Sequence, residues 1–599
     1  MVNEHFCKTP LHLCTKQLVA TALGREPADL VIRDARLVNV CTREILPHTD
    51  VAVRCGRVAL VGDATHCIGE HTKVYEAHGR YLSPAFMDGH IHVESSMLTV
   101  TEYAKAVIPH GTCAIFMDPH EICNVLGLDG VRYMLEDAEH TPLKVMLTTP
   151  SCVPAVPGFE DTGAAIGPDE VEKTMTWPEC VGLGEMMNFP GVLAGDEHTH
   201  AILAATLRAG KTVTGHFSIP EAGAPLSAYI AAGARCCHES TREIDALTKM
   251  RLGMYAQLRE GSAWHDLKEV AKAVTKHTVD SRLACLVSDD AHPSTLLTEG
   301  HLDHIVTRAV KEGVDPVTAI QMATLNTATC FGLDGELGSI APSKCADLVL
   351  FSDLNTIRIE AVFIDGDLVA ENGCMTVETP AYEYPAAARN TMHLDPVTEK
   401  DFVIPATGKA ADVHVIEIVP AKTYTYDRIE RLPIVGGVLT ADGERDILKA
   451  VCFERHHKTG TKGFGFIKGF GIRQGALAQT VAHDAHNLFV VGSNDADMAL
   501  AANTLIACGG GAVAVRDGQV LGLVKLPIAG LMSDTTLADT AEQVQGLGRA
   551  WRDLGCVHPS PFMTMAIVPL ACLPEVRLTN RGLVDCRTFR FMDLIEKTY

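Results

Sequence analysis

The segment Tyr81-Leu82-Ser83-Pro84-Ala85-Phe86-Met87 is a short apolar run that stops on Asp88-Gly89-His90-Ile91-His92, and this ending decides how the rest of the chain is read. Residues two apart project to the same side while strand geometry persists, so His90 and His92 can reach one cation. Seven further apolar runs follow, separated by helix-like sequence: Thr112 to Met117, Leu143 to Leu147, Val181 to Gly184, Thr212 to Gly215, Ala234 to Cys237, Gly253 to Leu258 and Leu283 to Ser288. Among the intervening residues, Leu267, Val270, Ala271 and Val274 recur at three- and four-residue spacing and mark one apolar helical face. Eight strands alternating with helices over about 250 residues is the pattern of a (β/α)8 TIM barrel, so the expected fold class is α/β.

Chemistry in such a barrel gathers at the C-terminal ends of the strands. Run one closes on His90 and His92, run four on Glu185, run five on His216, run six on His238 and run eight on Asp289. All six side chains can bind metal. The two oxygens of Glu185 suffice to bridge two cations, and His216 and His238 offer neutral nitrogens to a second ion. Asp289 can bind through one oxygen and accept a proton through the other. Two cations sharing a water lower its pKa toward neutrality and provide a hydroxide nucleophile. A single strand-end histidine is more often a hydrogen-bonded core residue than a ligand. The metal reading therefore rests on the coincidence of all six.

Outside the barrel, Leu30-Val31-Ile32, Leu37-Val38-Asn39-Val40, Val51-Ala52-Val53 and Val58-Ala59-Leu60-Val61 are β-rich runs between turns. The same texture returns at Leu348-Val349-Leu350-Phe351, followed by a hairpin with Asp365-Gly366 at its turn. This predicts one small sheet domain, residues 1–80 and 335–378, split by the barrel at 81–334. A connector carrying Pro380, Pro385, Pro396 and Pro405 spans 379–409, and a C-terminal α+β domain follows at 410–599, with a strand from Leu488 to Gly492 and a helix from Asp495 to Ala507.

With 599 residues, 47% hydrophobic and 21% charged, the chain has material for about three packed units and is neither a single small module nor a disordered tail. Its net charge of −23 repels phosphate backbones and anionic lipid, which argues against nucleic acid and membrane partners. The 20 cysteines are scattered with no C-x-x-C pair, and neither a signal peptide nor a membrane span is legible, which together point to the cytoplasm. Gly-rich strands and large size favour a homo-oligomer.

Four motifs carry a resemblance: Gly89-His90-Ile91-His92-Val93-Glu94-Ser95-Ser96-Met97, Asp118-Pro119-His120-Glu121-Ile122-Cys123-Asn124, Gly184-Glu185-Met186-Met187-Asn188-Phe189-Pro190-Gly191 and Ser288-Asp289-Asp290-Ala291-His292-Pro293. In these, and in Val481-Ala482-His483-Asp484-Ala485-His486-Asn487 of the last domain, the chain is similar to the adenine deaminase family of the amidohydrolase superfamily. The resemblance implies a distorted barrel with a split β-sandwich. It also implies a two-metal centre held by His90, His92, Glu185, His216, His238 and Asp289, with manganese or iron bound. The ligand set also admits zinc. The implied reaction is hydrolysis of adenine to hypoxanthine and ammonia, with Asp289, Glu185 and His238 catalytic and His120, Glu121, Ser95 and Asp290 around the substrate. Another aminopurine or cyclic amide is the alternative substrate, and a catalytically inactive binding barrel the alternative of another class.

Other signals carry less. Gly460 to Gly471 lacks the spacing of a dinucleotide loop and reads as hairpin glycine. Glu94 to Ser96 can cap the following helix as readily as touch substrate. Phe189 reads best as core packing. His483, Asp484, His486 and Asn487 either close over the barrel mouth or form an internally bonded loop.

Overall fold

A computed structural model describes residues 6–220, 223–420, 422–556, 558 and 560–599. Its barrel consists of the parallel strands Phe86–Ile91, Thr112–Met117, Lys144–Thr149, Cys180–Met186, Thr212–Gly215, Ala234–Cys237, Tyr255–Arg259 and Ala284–Val287, hydrogen-bonded in chain order. Such strands are covered on both faces, which is why they read as continuous apolar runs. The eighth closes on the first through Asp289, whose N–H donates to the carbonyl of His90 at 3.0 Å and whose carbonyl accepts from the N–H of His92 at 3.1 Å.

The run from Tyr81 to Met87 proves to be two elements. Tyr81–Pro84 belongs to the neighbouring sheet, antiparallel to Leu348–Phe351, and the first barrel strand starts only at Phe86. Only Ala85 separates them, so the sequence shows no break between the two strands. In the same way Leu30-Val31-Ile32 and Leu37 to Asn39 lie in one strand, Leu30–Asn39, and Val40 follows in the turn. Its register shifts between Ile32 and Leu37, and Asp34 has a φ of 53°. This bulge imitates a turn in the sequence.

Tyr81–Pro84 joins upstream and returning strands into one nine-stranded sheet. Ile32, Val51 and Leu82 share its core with Leu348, Leu350 and Phe363. Asp365 and Gly366, with φ of 49° and 78°, form the expected hairpin turn. Lys144, at the start of the third barrel strand, ties the two units together: its buried ammonium lies 2.6 Å from Asp347 Oδ2 and 3.0 Å from Asp365 Oδ1.

The C-terminal part is built on a ten-stranded sheet that includes Leu488–Gly492, followed by the helix Asp495–Cys508. Gly463 and Gly465 lie in a strand paired antiparallel to Ile447–Phe453, as hairpin glycines do. This part meets the loops at the C-terminal end of the barrel. Ser533 N–H donates to Met97 O at 2.8 Å, and Asn487 Nδ2 to Asp161 O at 2.9 Å. Among the described residues no helix is long and apolar enough to cross a membrane.

Candidate metal centre and active site

The segments that close the barrel also bring His90, His92 and Asp289 together. Asp289 Oδ1 is 3.2 Å from His90 Nε2 and 3.4 Å from His92 Nε2. Asp289 has a φ of 67°, in the left-handed region that Asp tolerates better than most residues, and its two backbone bonds to the first strand hold it there.

Glu185, on the fourth strand, faces both histidine groups with one carboxylate. Its Oε1 is 3.5 Å from His92 Nε2 and 3.4 Å from His120 Nδ1. Its Oε2 is 3.1 Å from His238 Nε2 and touches His216 Nδ1. The rings of His90 and His238 stack with centroids 4.0 Å apart. The six side chains expected from the strand ends thus occupy one neighbourhood. Burial pushes both carboxyls up, but His216 and His238 hold Glu185, and His238 and Arg259 hold Asp289, well below the usual carboxylate range.

The donor set fits a pair of divalent cations. The triplets His90, His92, Asp289 and His90, Glu185, His238 each offer ligand atoms within 4.8 Å of one another. His90 Nε2, His238 Nδ1, His120 Nδ1 and Asp118 Oδ1 are buried with no hydrogen-bond partner among the described residues. Buried carboxylates and imidazoles crowded this closely are compensated by positive charge, and nitrogen and oxygen ligands without thiolate suit manganese, iron or zinc.

Three neighbours escape the strand-end reading above. Asp118, directly after the second strand, accepts the N–H of Glu185 at 2.7 Å through Oδ2, and its carbonyl accepts from His92 Nδ1 at 2.8 Å. The second bond fixes the His92 tautomer and leaves Nε2 facing the cluster. Arg259 ends the seventh strand. Its buried guanidinium donates to Asp289 Oδ2 at 2.8 Å, Glu239 Oε1 at 2.6 Å and Asp266 Oδ2 at 2.7 Å. Extending the strand-end rule to the second and seventh strands, and one residue past His238, finds Asp118, Arg259 and Glu239. The apolar run Gly253 to Leu258 stops one residue short of Arg259 because a charged side chain reads as a boundary.

The expected substrate residues divide into two groups. His120, Glu121 and Asp290 are buried beside the cluster. Asp290 accepts the Ala263 N–H at 2.9 Å, and burial and the neighbouring Asp289 push it up to about 7. Ser95 instead uses its hydroxyl on backbone, donating to His92 O at 2.7 Å and accepting from Ala291 N–H at 3.1 Å, which clasps the loops after the first and eighth strands. Glu94 does act on a helix N-terminus, though not that of the next helix. It accepts the Ile122 N–H at 3.1 Å in the helix His120–Ala138, while Val100–Val107 has Thr99 as its cap. Phe189 packs on Phe217. The His483-Asp484 loop lies over the barrel mouth: Asp484 Oδ1 is 3.7 Å from His120 Nε2, and His483 Nε2 is 3.9 Å from Glu121 Oε1.

Comparison with known proteins gives two family matches. Residues 81–369 match the amidohydrolase family, and residues 422–590 match the adenine deaminase C-terminal domain. The chain is 62% identical to an adenine deaminase of Clostridium botulinum over 99% of both chains. It is 55% identical to one of Moorella thermoacetica over 98% of this chain and 99% of the relative. It is 46% identical to one of a Ruegeria species over 97% of both.

Proposed function

The chain belongs to the adenine deaminase family of the amidohydrolases, and on that premise we propose that the cluster at its barrel mouth is a two-cation centre that hydrolyses adenine to hypoxanthine and ammonia. The observation that supports this assignment of residues is the single carboxylate of Glu185, set between His92 on one side and His216 and His238 on the other.

In this reading His90, His92 and Asp289 would hold one cation and His216 and His238 the other, with Glu185 placed to serve both. Manganese or ferrous iron is the proposed metal, with zinc the third choice for the same donors. When bound, the pair supplies a water deprotonated at neutral pH. Asp289 is fixed by Arg259 through Oδ2. Its Oδ1 faces His90 and His92, and the carboxylate takes the proton of the attacking hydroxide and passes it to the departing amine. A C–O bond forms at C6, which becomes tetrahedral, and the C–N bond then breaks as the protonated amine leaves as ammonia. A proton at ring N1 draws electron density from C6, and His120, Glu121 and Asp290 are the donors at hand. Asp290, pushed up to about 7, carries a proton near neutral pH. His238 and Glu185 hold the reacting site together, and Ser95 keeps the loop carrying Asp289 and Asp290 against the first strand.

The wider proposal is a cytoplasmic homo-oligomer with the domain boundaries given above, except that the first sheet segment runs on to Pro84 and the barrel begins at Phe86. Free cysteines support the reducing compartment. The test is to load the purified protein with manganese and follow adenine by ultraviolet absorbance, with ammonia release measured over a panel of aminopurines and cyclic amides. Preference for adenine is expected. A protein inert on adenine and active on another member of the panel overturns the substrate.

A further inference from the structure

The C-terminal domain reaches the reacting site through the His483-Asp484 loop. His120 stands between two carboxylates from different parts of the chain: Nδ1 lies 3.4 Å from Glu185 Oε1 of the fourth barrel strand, and Nε2 lies 3.7 Å from Asp484 Oδ1 of the C-terminal domain. His120, His483 and Asp484 offer donor atoms within 4.8 Å of one another, and all three residues are buried. His483 Nδ1 is 3.3 Å from the same Asp484 oxygen, while Asp484 Oδ2 is buried with no hydrogen-bond partner among the described residues.

The loop that presents Asp484 is anchored from several sides. His483 N–H donates to Ala566 O at 2.9 Å, and His486 N–H to Ala482 O at 2.8 Å. The fully buried Arg455 donates to the His486 carbonyl and, at 2.8 Å, to that of Ala529. Asn487 reaches across to the barrel loop at Asp161. A buried carboxylate on a loop tied down this thoroughly has a fixed place, and fixed groups that hold a catalytic ring are what orient it for reaction.

We propose that Asp484 is a positioning residue: it holds His120 in the ring orientation that faces the reacting centre, so that the C-terminal domain completes the active site of the barrel. The inference rests on the reading of His120 as a residue of the reacting site, given above. Asp484 acts through His120, so its effect exists only while His120 is present.

A double-mutant cycle on the full-length, manganese-loaded protein tests this, with metal content and melting temperature recorded for every variant. In the wild-type background Asp484→Asn is expected to lower kcat about 100-fold, with KM changed less than about threefold and two metals retained per chain. In a His120→Asn background the same substitution is expected to cost less than about twofold. Equal losses in both backgrounds, or no loss in either, overturn the proposal. Should Asp484→Asn fail to fold or to retain metal, Asp484→Glu takes its place: a loss of threefold or more with His120 present and none without it supports the proposal, and any other pattern overturns it. If His120→Asn alone leaves kcat unchanged, the underlying reading of the site fails. If His120→Asn is impaired and Asp484→Asn is not, only the positioning role fails.

Discussion

Arg259 Nη1 donates to Asp289 Oδ2 at 2.8 Å, so the base proposed for proton transfer is held by a residue that is not itself a metal ligand. The same guanidinium serves Glu239 and Asp266. Arg259→Met leaves three carboxylates without their cation, and breaking a buried ion pair costs about 3 to 5 kcal/mol. Lys replaces the fork with a point charge and cannot match all three. We expect Arg259→Met to lower stability in urea titrations by that order and Arg259→Lys to lower it less, with kcat for adenine reduced in both.

Lys144 joins the barrel to the split sheet through Asp347 and Asp365. Lys144→Met is expected to destabilise the protein by about 3 to 5 kcal/mol. Metal content should stay unchanged, because the substitution lies at the opposite end of the strands from the cluster. Denaturant midpoints and metal analysis on the same preparations check both halves of this expectation.

Glu160 gives a pH signature. It lies in the loop after the third barrel strand, accepts the Val156 N–H at 2.9 Å, and burial and then Asp484 push it up to about 8. In the unfolded chain a glutamate titrates near about 4.3. Between these values the unfolded state loses the proton that the folded state keeps. Its contribution to stability is therefore fully present below about pH 4 and lost as pH rises through about 8. Glu160→Gln removes this dependence, so the variant should overtake the wild type in melting temperature as pH rises from 5 to about 9. Parallel melting curves for the two proteins across that range would contradict it.

The barrel was legible because strands buried on both faces leave uninterrupted apolar runs, each ended by a polar residue. His90, Glu185 and Asp289 could be read for the same reason: each stands where such a run stops. Less legible were features whose cause is tertiary. Nothing local in Tyr81 to Met87 shows that the chain changes sheets between Pro84 and Phe86, and the bulge at Asp34 imitates a turn. Arg259 is held by three carboxylates distributed over the chain, so its own surroundings in sequence look like those of any charged strand end. Asp484 belongs to a domain far downstream, and only folding places it beside His120.

Glu185→Gln keeps the shape of the side chain and removes the charge proposed to bridge two cations. The variant is expected to lose at least one metal per chain by elemental analysis and to fall about 1000-fold or more in kcat. A variant with full metal content and wild-type turnover would show that Glu185 does not bridge.

The most direct test of the account is an anomalous difference map from crystals of the manganese-loaded protein, collected at the manganese edge. It should show two peaks flanking the Glu185 carboxylate, one against His90, His92 and Asp289 and the other against His216 and His238. A single peak, or peaks remote from Glu185, would contradict the two-cation centre on which the proposed chemistry depends.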